Sequence, residues 1–117
     1  YQPKSSLKMN GKTQSNYPRK NWSSMMVFNC EHPSCKNLNI ENINTKSGSW
    51  LHRFEWCKDQ EIEEVSPEYN CLVGYYNMKN PKAIHFTDGG PWHNGYENIE
   101  FSDLWRKYLH EYTNSLI

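Results

Sequence analysis

Long apolar runs are absent from this sequence. No stretch approaches the roughly 20 apolar residues that a helix needs to cross a bilayer, and no charged-then-apolar signal peptide opens the chain. A membrane span is therefore not expected, and a cytoplasmic location is the default expectation. Net charge is absent as well, since thirteen basic residues balance thirteen acidic ones. Without an overall electric field that attracts polyanions, we expect no nucleic-acid partner.

Paired Cys-x-x-Cys spacings are also missing, although the chain has four cysteines. Their absence argues against the common structural zinc sites, which use such pairs. One weaker alternative stays open, a small zinc module built from Cys30, His32 and Cys35. That alternative predicts stoichiometric zinc in the purified protein.

Aromatic residues are plentiful in an otherwise polar chain. Only 36% of the residues are apolar, but seventeen are aromatic, and five of these are tryptophan. Disordered chains are depleted in aromatics, because each such side chain buries a large apolar area on folding. A chain of 117 residues is long enough for one domain only. Residues 1–20 are polar and aperiodic, which predicts an extended arm or loop, and residues 21–117 then form the single domain.

The apolar pattern along the chain predicts a mixed α/β fold. Three strands are expected, within residues 21–30, 71–76 and 83–86. Helical spacing predicts a short helix capped by Asn39, a second helix after Ser49 and a last helix capped by Ser102.

Residues 82–92 contain the most informative local chemistry. A short apolar run includes His85 and then breaks into Asp88-Gly89-Gly90-Pro91, followed by Trp92. A strand that ends in such a turn presents its last polar side chains where ligands are usually bound. Neutral imidazole is a common ligand of divalent cations, and glycine lets a ligand approach the backbone closely. The segment predicts a ligand site, against the simpler interpretation of a half-buried histidine beside a turn.

Two further clusters contain residues that bind ligands in other proteins. Arg19 and Lys20 are adjacent cations, which usually lie on the surface but can also neutralise a diphosphate. Five carboxylates lie within residues 59–68, close to Trp56 and Asn70. Such a run is most often a solvated face, although carboxylates and amides beside aromatic rings can also bind sugar hydroxyls.

Four blocks of the sequence, taken in order, resemble one known family. They are Tyr17-Pro18-Arg19-Lys20-Asn21-Trp22-Ser23-Ser24, Leu51-His52-Arg53-Phe54-Glu55-Trp56, Pro67-Glu68-Tyr69-Asn70 and Ala83-Ile84-His85-Phe86-Thr87-Asp88-Gly89-Gly90-Pro91-Trp92, with a Leu104-Trp105 helix after them. Their order and spacing resemble the C-terminal half of bacterial and viral nucleotide-sugar glycosyltransferases related to the glycogenin-like family. The resemblance extends from about Tyr17 to Tyr112.

The resemblance implies that the chain is the C-terminal portion of a GT-A fold. It implies metal-dependent transfer of a sugar from a nucleotide-sugar donor to a glycan or other hydroxyl acceptor, with Mn²⁺ or Mg²⁺ as cofactor and His85 as a metal ligand. The implied cofactor-binding residues are Lys20, Ser23, Gly89, Gly90 and Trp92, and the implied catalytic residues near the acceptor are Asp59 and Asn70.

The sequence departs from the family in one major respect, because no Asp-x-Asp motif occurs in it. The nucleotide-binding half of the family has no counterpart either, so we expect the metal to be shared with a missing N-terminal half and the isolated chain to be inactive. The alternative is a truncated, non-catalytic carbohydrate-binding or structural accessory module. Half of a GT-A sheet also leaves an unpaired edge, which predicts a homodimer through that edge.

Overall fold

The computed structural model describes residues 1–116 and shows a small mixed α/β protein. Its three helices are α1 (Ile40–Thr45), α2 (Gly48–His52) and α3 (Ser102–Asn114), and its four strands are β1 (Leu7–Lys8), β2 (Lys12–Thr13), β3 (Cys71–Leu72) and β4 (Ile84–His85). Short 3₁₀ turns span Met9–Gly11, Trp22–Ser24, Pro33–Asn37, Asp59–Glu61 and Pro67–Tyr69. The predicted mixed α/β class is confirmed, whereas nothing in this architecture confirms a GT-A origin.

The chain divides into two compact units. Unit 1 consists of residues 1–4 and 15–65, and unit 2 consists of residues 5–14 together with the described residues from Ser66 onward. No helix in the described part of the chain is long and apolar enough to cross a membrane.

The two helices of unit 1 begin at side-chain caps. The Asn39 carboxamide oxygen accepts a hydrogen bond from the Asn42 N–H at 2.9 Å, so the predicted cap of α1 is confirmed. Helix α2 begins two residues earlier than expected, because its cap is Ser47 and not Ser49; the Ser47 hydroxyl accepts from the Trp50 N–H at 3.1 Å. Each cap satisfies a backbone donor that the first turn of a helix leaves unpaired.

The strand predicted within residues 21–30 is wrong. Trp22–Ser24 forms a 3₁₀ turn, and residues 26–29 belong to no helix or strand. Val27, at the centre of the apolar run, is 76% exposed. A continuous apolar run indicates that a segment can be buried, but burial in a sheet also needs a neighbouring strand, and no described residue pairs with this segment.

Aromatic packing forms the apolar interior of unit 1. Phe54 is 8% exposed and meets Trp56 edge to face, with 6.1 Å between ring centroids. The other contact of Trp56 is a stack with Phe28 at 6.0 Å. These rings replace the aliphatic core that the polar composition does not supply.

Unit 2 is built on a parallel pair of short strands. Cys71 pairs with Ile84 and Leu72 with His85, so the strands predicted at 71–76 and 83–86 are confirmed but extend over only two residues each. Cys71 is fully buried and Leu72 is 3% exposed. The pair therefore forms the core of this unit and fixes the position of His85.

Residues 5–14 add an antiparallel hairpin to unit 2. Strand β1 pairs with β2 through Leu7↔Thr13 and Lys8↔Lys12. Asn10 and Gly11 in the turn have φ values of 57° and 66°, as the tight turns that suit hairpin twist require. The Met9 N–H donates to the Asp88 carbonyl at 2.8 Å. Within the predicted arm of residues 1–20, the structure thus contains a hairpin.

Helix α3 begins at Ser102 instead of being capped by it. Phe101 occupies the capping position with a left-handed φ of 64°, and Ser102 is buried in the first turn. Trp105 packs against Trp92, with 5.3 Å between ring centroids. Tyr108, three residues further on and on the same side of the helix, is 60% exposed, so this side of the helix is open beyond Trp105.

Candidate functional site

The residues predicted to form one site fall into two groups in different units. Unit 1 contains Lys20, Ser23 and Asp59, and unit 2 contains Asn70, His85, Gly89, Gly90 and Trp92. In unit 2 the structure brings Asn70 and His85 into contact, whereas the three predicted residues of unit 1 each contact a different partner.

His85 and Asn70 form a pair in unit 2. The His85 Nδ1 atom lies 3.2 Å from the Asn70 carboxamide oxygen. Strand β4 holds the imidazole, while Asn70 directly precedes β3, so the parallel pairing brings the two side chains together. With the proton on Nδ1, the imidazole donates to the carboxamide, and Nε2 is left as an acceptor. Such an acceptor can accept a proton or bind a metal ion.

Burial lowers the pKa of His85 below its usual value, and the nearby cation of Lys8 lowers the pKa further. Both causes disfavour the imidazolium, since burial removes its hydration and Lys8 adds like charge. His85 is therefore neutral at physiological pH, which is the form that a base or a metal ligand requires.

Metal binding by His85 stays a prediction, and the described residues around His85 do not supply further metal ligands. Among the described residues, no group of three or more His, Cys, Asp or Glu side chains is arranged to hold a metal ion. Asp88, three residues further on, already accepts hydrogen bonds from the Tyr75 hydroxyl at 2.7 Å and the Gln14 amide at 3.3 Å. The donor set around His85 thus does not fit Mn²⁺ or Mg²⁺, which favour several oxygen ligands.

The same finding bears on the zinc alternative. All four cysteines are free thiols, and the described part of the chain offers no three-ligand group to which Cys30, His32 and Cys35 could contribute. Burial raises the pKa of the Cys57 and Cys71 thiols. Protonated thiols are poor metal ligands and poor nucleophiles.

The Gly-Gly turn of unit 2 is filled by an indole. A Cβ atom on Gly90 would lie 2.2 Å from the Trp92 ring, and one on Gly89 would lie 3.0 Å from the Tyr96 ring. Trp92 is held between Phe86 at 5.7 Å and Trp105 at 5.3 Å between ring centroids. Gly89 and Gly90 therefore allow aromatic rings to approach the backbone, which is a packing role that needs no ligand.

Asp59, predicted to be catalytic, lies in unit 1 as the ion-pair partner of Arg19. The guanidinium donates to the Asp59 carboxylate through both Nε and Nη2, and its Nη1 donates to the Arg53 carbonyl at 2.7 Å and the Phe54 carbonyl at 2.6 Å. Four of its five N–H donors are thus engaged. Arg19 satisfies the backbone carbonyls at the end of α2. Because Asp59 neutralises its positive charge, Arg19 is not suited to bind a diphosphate.

Lys20 lies in the wall of a cavity of about 510 Å³ in unit 1, which we call the Tyr17 pocket. The pocket is lined by Tyr1, Gln2, Asn16, Tyr17, Pro18, Arg19, Lys20 and Trp22. The Lys20 side chain is 7% exposed, and its ammonium donates to the Ser15 carbonyl at 2.6 Å. The same ammonium lies 5.6 Å from the ring centre of Tyr1 and 5.4 Å from that of Tyr17. These contacts are cation–π interactions that keep a positive charge in an aromatic wall.

Arg53 contacts the Tyr17 ring without lining the pocket, and sequence reasoning assigned it no role of its own. Its guanidinium lies 4.9 Å from the centre of the Tyr17 ring. Tyr17 was likewise given no role, although its ring contacts both cations. Stacking between residues 36 positions apart in sequence leaves no periodic signal, so only the folded chain brings these side chains together.

Ser23 lies next to the pocket residue Trp22 but does not line the pocket. Its hydroxyl lies 3.4 Å from the His52 Nδ1 atom, at the end of α2. This contact ties the 3₁₀ turn Trp22–Ser24 to that helix. It leaves Trp22 at the pocket wall, where the indole is 46% exposed.

By its fold and by this geometry, the chain is a small mixed α/β protein with an aromatic pocket that contains a buried cation. In comparisons with known proteins, the chain is 45% identical over 118 aligned residues to a curated protein of Arabidopsis thaliana named Protein CDI. The alignment covers 96% of this chain and 46% of that protein, so the chain spans about half the length of the relative. No family model matches the chain, and no solved structure matches it.

These comparisons contradict the glycosyltransferase assignment. The relative that aligns with nearly the whole chain is named Protein CDI and not as a glycosyltransferase, and neither a family model nor a solved structure supports a GT-A enzyme. The predictions of nucleotide-sugar chemistry and of manganese dependence are wrong together with the assignment. The prediction that the chain is a fragment of a glycosyltransferase is wrong as well. Contacts within the protein account for two of the residues that carried the resemblance, since Arg19 binds Asp59 and Gly90 accommodates Trp92.

Proposed function

We propose that unit 1 binds a small phosphate monoester with a ring-shaped organic part in the Tyr17 pocket. The single observation that carries the proposal is the placement of Lys20, whose ammonium is buried in the wall beside the Tyr1 and Tyr17 rings. A cation in a partly dehydrated, aromatic environment attracts an anion more strongly than the same cation in bulk water, because the local dielectric constant is lower.

The number of cations favours a dianion. Arg19 is neutralised by Asp59, whereas Arg53 has no side-chain hydrogen bond or ion pair with any described residue, and its planar donors suit two phosphate oxygens. Lys20 lies in the pocket wall and Arg53 lies outside it, and both cations contact the ring of Tyr17. A phosphate monoester carries a charge of about −1.5 to −2 at pH 7, so its charge matches theirs better than that of a monocarboxylate.

The remaining wall favours a ligand with a ring. Trp22 presents a half-exposed indole, and the tyrosine rings add two more flat surfaces. Stacking of one aromatic ring on another contributes about 0.5–1.5 kcal/mol beyond the buried area. None of the eight residues that line the pocket is acidic, so the wall itself contains no carboxylate that repels the anion.

Calorimetric titration with phenyl phosphate tests the proposal, with inorganic phosphate and benzoate as probes of its two parts. We expect phenyl phosphate to bind more tightly than either. Lys20→Met and Arg53→Gln should each weaken binding about tenfold, which corresponds to about 1.4 kcal/mol. Lys46→Gln is the matched control, since Lys46 is an exposed lysine of the same unit outside the pocket. Equal binding by all variants would overturn the proposal.

A further inference from the structure

Cys35 and Cys57 are two partly exposed thiols of unit 1. Cys35 lies in the 3₁₀ turn Pro33–Asn37, and Cys57 lies between α2 and the turn Asp59–Glu61. Both helices of unit 1 separate the two cysteines in sequence, and neither cysteine lines the Tyr17 pocket. Contact between the two thiols therefore depends on how the chain folds.

Two hydrogen bonds hold the turn that contains the first cysteine against the segment after α2. The Asn37 carboxamide donates to the Trp56 carbonyl at 2.8 Å, and the Ser34 hydroxyl donates to the Glu61 carboxylate at 2.9 Å. The two donors lie on either side of the first cysteine, and Trp56 directly precedes the second cysteine. The two segments therefore run side by side where the cysteines lie.

Contacts of the Cys35 thiol agree with this arrangement. The thiol donates to the Asn29 carbonyl at 3.3 Å. The preceding residue, Phe28, stacks on Trp56 with 6.0 Å between ring centroids. Residues on both sides of this thiol thus contact Trp56, which is the neighbour of Cys57 in sequence.

The pKa of the Cys57 thiol reflects the same surroundings. Burial is the main cause that raises this pKa, the Arg19 guanidinium opposes the rise, and Glu61 and Cys35 raise the pKa further. Ionisable groups shift each other's pKa mainly when they lie close together. The influence of Cys35 on Cys57 therefore supports the juxtaposition that the hydrogen bonds indicate.

From these contacts we infer that Cys35 and Cys57 are a site of reversible modification, at which a small-molecule disulfide oxidises the two thiols to one intramolecular disulfide bond. The Cys35 thiolate attacks one sulfur of the reagent, breaks its S–S bond and releases a thiolate. Cys57 then gives up its proton and attacks the Cys35 sulfur, which releases the second thiolate. The protein loses two electrons and two protons, and the reagent takes them up as two thiols. Cys57 reacts second because its raised pKa leaves little thiolate.

The other two cysteines do not suit this reaction. Cys71 is fully buried, so a dissolved disulfide does not reach its sulfur. Cys30 is exposed, but it is not among the groups that shift the pKa of Cys57. We therefore expect Cys30 to end as a mixed disulfide with the reagent, without an internal bond.

Peptide mapping after treatment with oxidised glutathione tests this inference. The folded 117-residue chain is incubated with the reagent, its remaining thiols are alkylated, and the peptides of a digest without reductant are identified by mass. We expect a link between Cys35 and Cys57 that forms at a rate independent of protein concentration and is lost on reduction. Cys57→Ser should instead retain glutathione on Cys35. Cys30→Ser is the matched control and should form the same link as the unmodified chain.

The chain unfolded in urea provides a second comparison. Without the contacts that bring the two segments together, the link should form at least about tenfold more slowly than in the folded chain. Absence of the link in the folded chain overturns the inference, as does an equal rate in urea. A link from either cysteine to Cys30, or glutathione retained on both Cys35 and Cys57 of the unmodified chain, also overturns it.

Discussion

Arg19 and Lys20 are adjacent in sequence but perform different tasks. Arg19 uses four of its donors on Asp59 and on the carbonyls at the end of α2, while Lys20 keeps its ammonium in the Tyr17 pocket. Both residues were singled out in the sequence as a pair of cations. Their separation into an anchoring residue and a pocket residue depends on contacts with residues 53, 54 and 59, which sequence spacing cannot reveal.

Replacement of Arg19 should destabilise unit 1 far more than replacement of its partner. Arg19→Ala leaves the Arg53 and Phe54 carbonyls without their donor, and we expect it to lower the free energy of unfolding by about 2 kcal/mol. Asp59→Ala should cost at most about 1 kcal/mol, because the Asp59 side chain is 80% exposed. Urea unfolding measures both values. Equal losses in the two variants would show that the ion pair, and not the carbonyl contacts, matters most.

His85 should titrate below the usual histidine range. Burial is the larger cause and Lys8 the smaller one, so Lys8→Gln should raise the pKa of His85 without restoring its ordinary value. Lys12→Gln, on the opposite strand of the hairpin, is the control. Two-dimensional NMR of the imidazole nitrogens follows the titration. A His85 pKa unchanged by Lys8→Gln would exclude the proposed charge effect.

The same pKa has a consequence for stability. Because the pKa of His85 is lower in the folded state than in the unfolded state, the unfolded chain binds the proton more readily. The contribution of neutral His85 to stability is therefore complete above the ordinary histidine pKa of 6.5 and is lost as the pH falls through the folded-state value. Unfolding curves recorded across this range should show the loss, and Lys8→Gln should make it smaller.

Among the elements, the turn after β4 shows how a ligand-like motif can have a packing role. Gly89, Gly90 and Trp92 were predicted to bind a cofactor, and that role stays untested. The structure supplies another reason for the glycines, since Trp92 and Tyr96 occupy the space that a Cβ atom would need.

Gly90→Ala should displace the Trp92 ring from its contact with Trp105. The added methyl group would lie 2.2 Å from the far end of the indole; because Trp92 is 54% exposed, its ring can move toward solvent, so the cost is about 1 kcal/mol, the low end for overpacking. Near-ultraviolet circular dichroism should change along with the unfolding midpoint. Gly48→Ala is the control, because no atom lies within 4 Å of its added Cβ atom. A Gly90→Ala variant with an unaltered aromatic spectrum would contradict this packing account.

A local signal predicted one helix cap correctly, whereas the caps predicted at Ser49 and Ser102 were wrong. The cap at Asn39 follows from the side chain of one residue and the N–H three positions later. The hairpin at residues 7–13 also had a local signal, because Asn10-Gly11 is typical of two-residue hairpin turns; the polar composition of residues 1–20 obscured it. The strand within residues 21–30 failed because a strand needs a partner, and an apolar run alone does not show whether a partner is present.

For the whole molecule, composition and periodicity were enough to predict a mixed α/β chain. They could not predict the division into two units, because unit 1 takes up residues 1–4 and unit 2 takes up residues 5–14 from the same polar tract. The candidate site was predicted only in part. Lys20 was singled out, but its contact with Tyr1 and the contact of Arg53 with Tyr17 join residues far apart in sequence.

The central claim is that the Tyr17 pocket binds a ring-containing phosphate monoester. Calorimetric titration of the chain with phenyl phosphate, with Lys20→Met, Arg53→Gln and Lys46→Gln measured alongside, tests it most directly. We predict saturable binding that is about tenfold weaker in the first two variants and unchanged in the third. Absence of binding, or binding that is insensitive to both Lys20 and Arg53, would contradict the account.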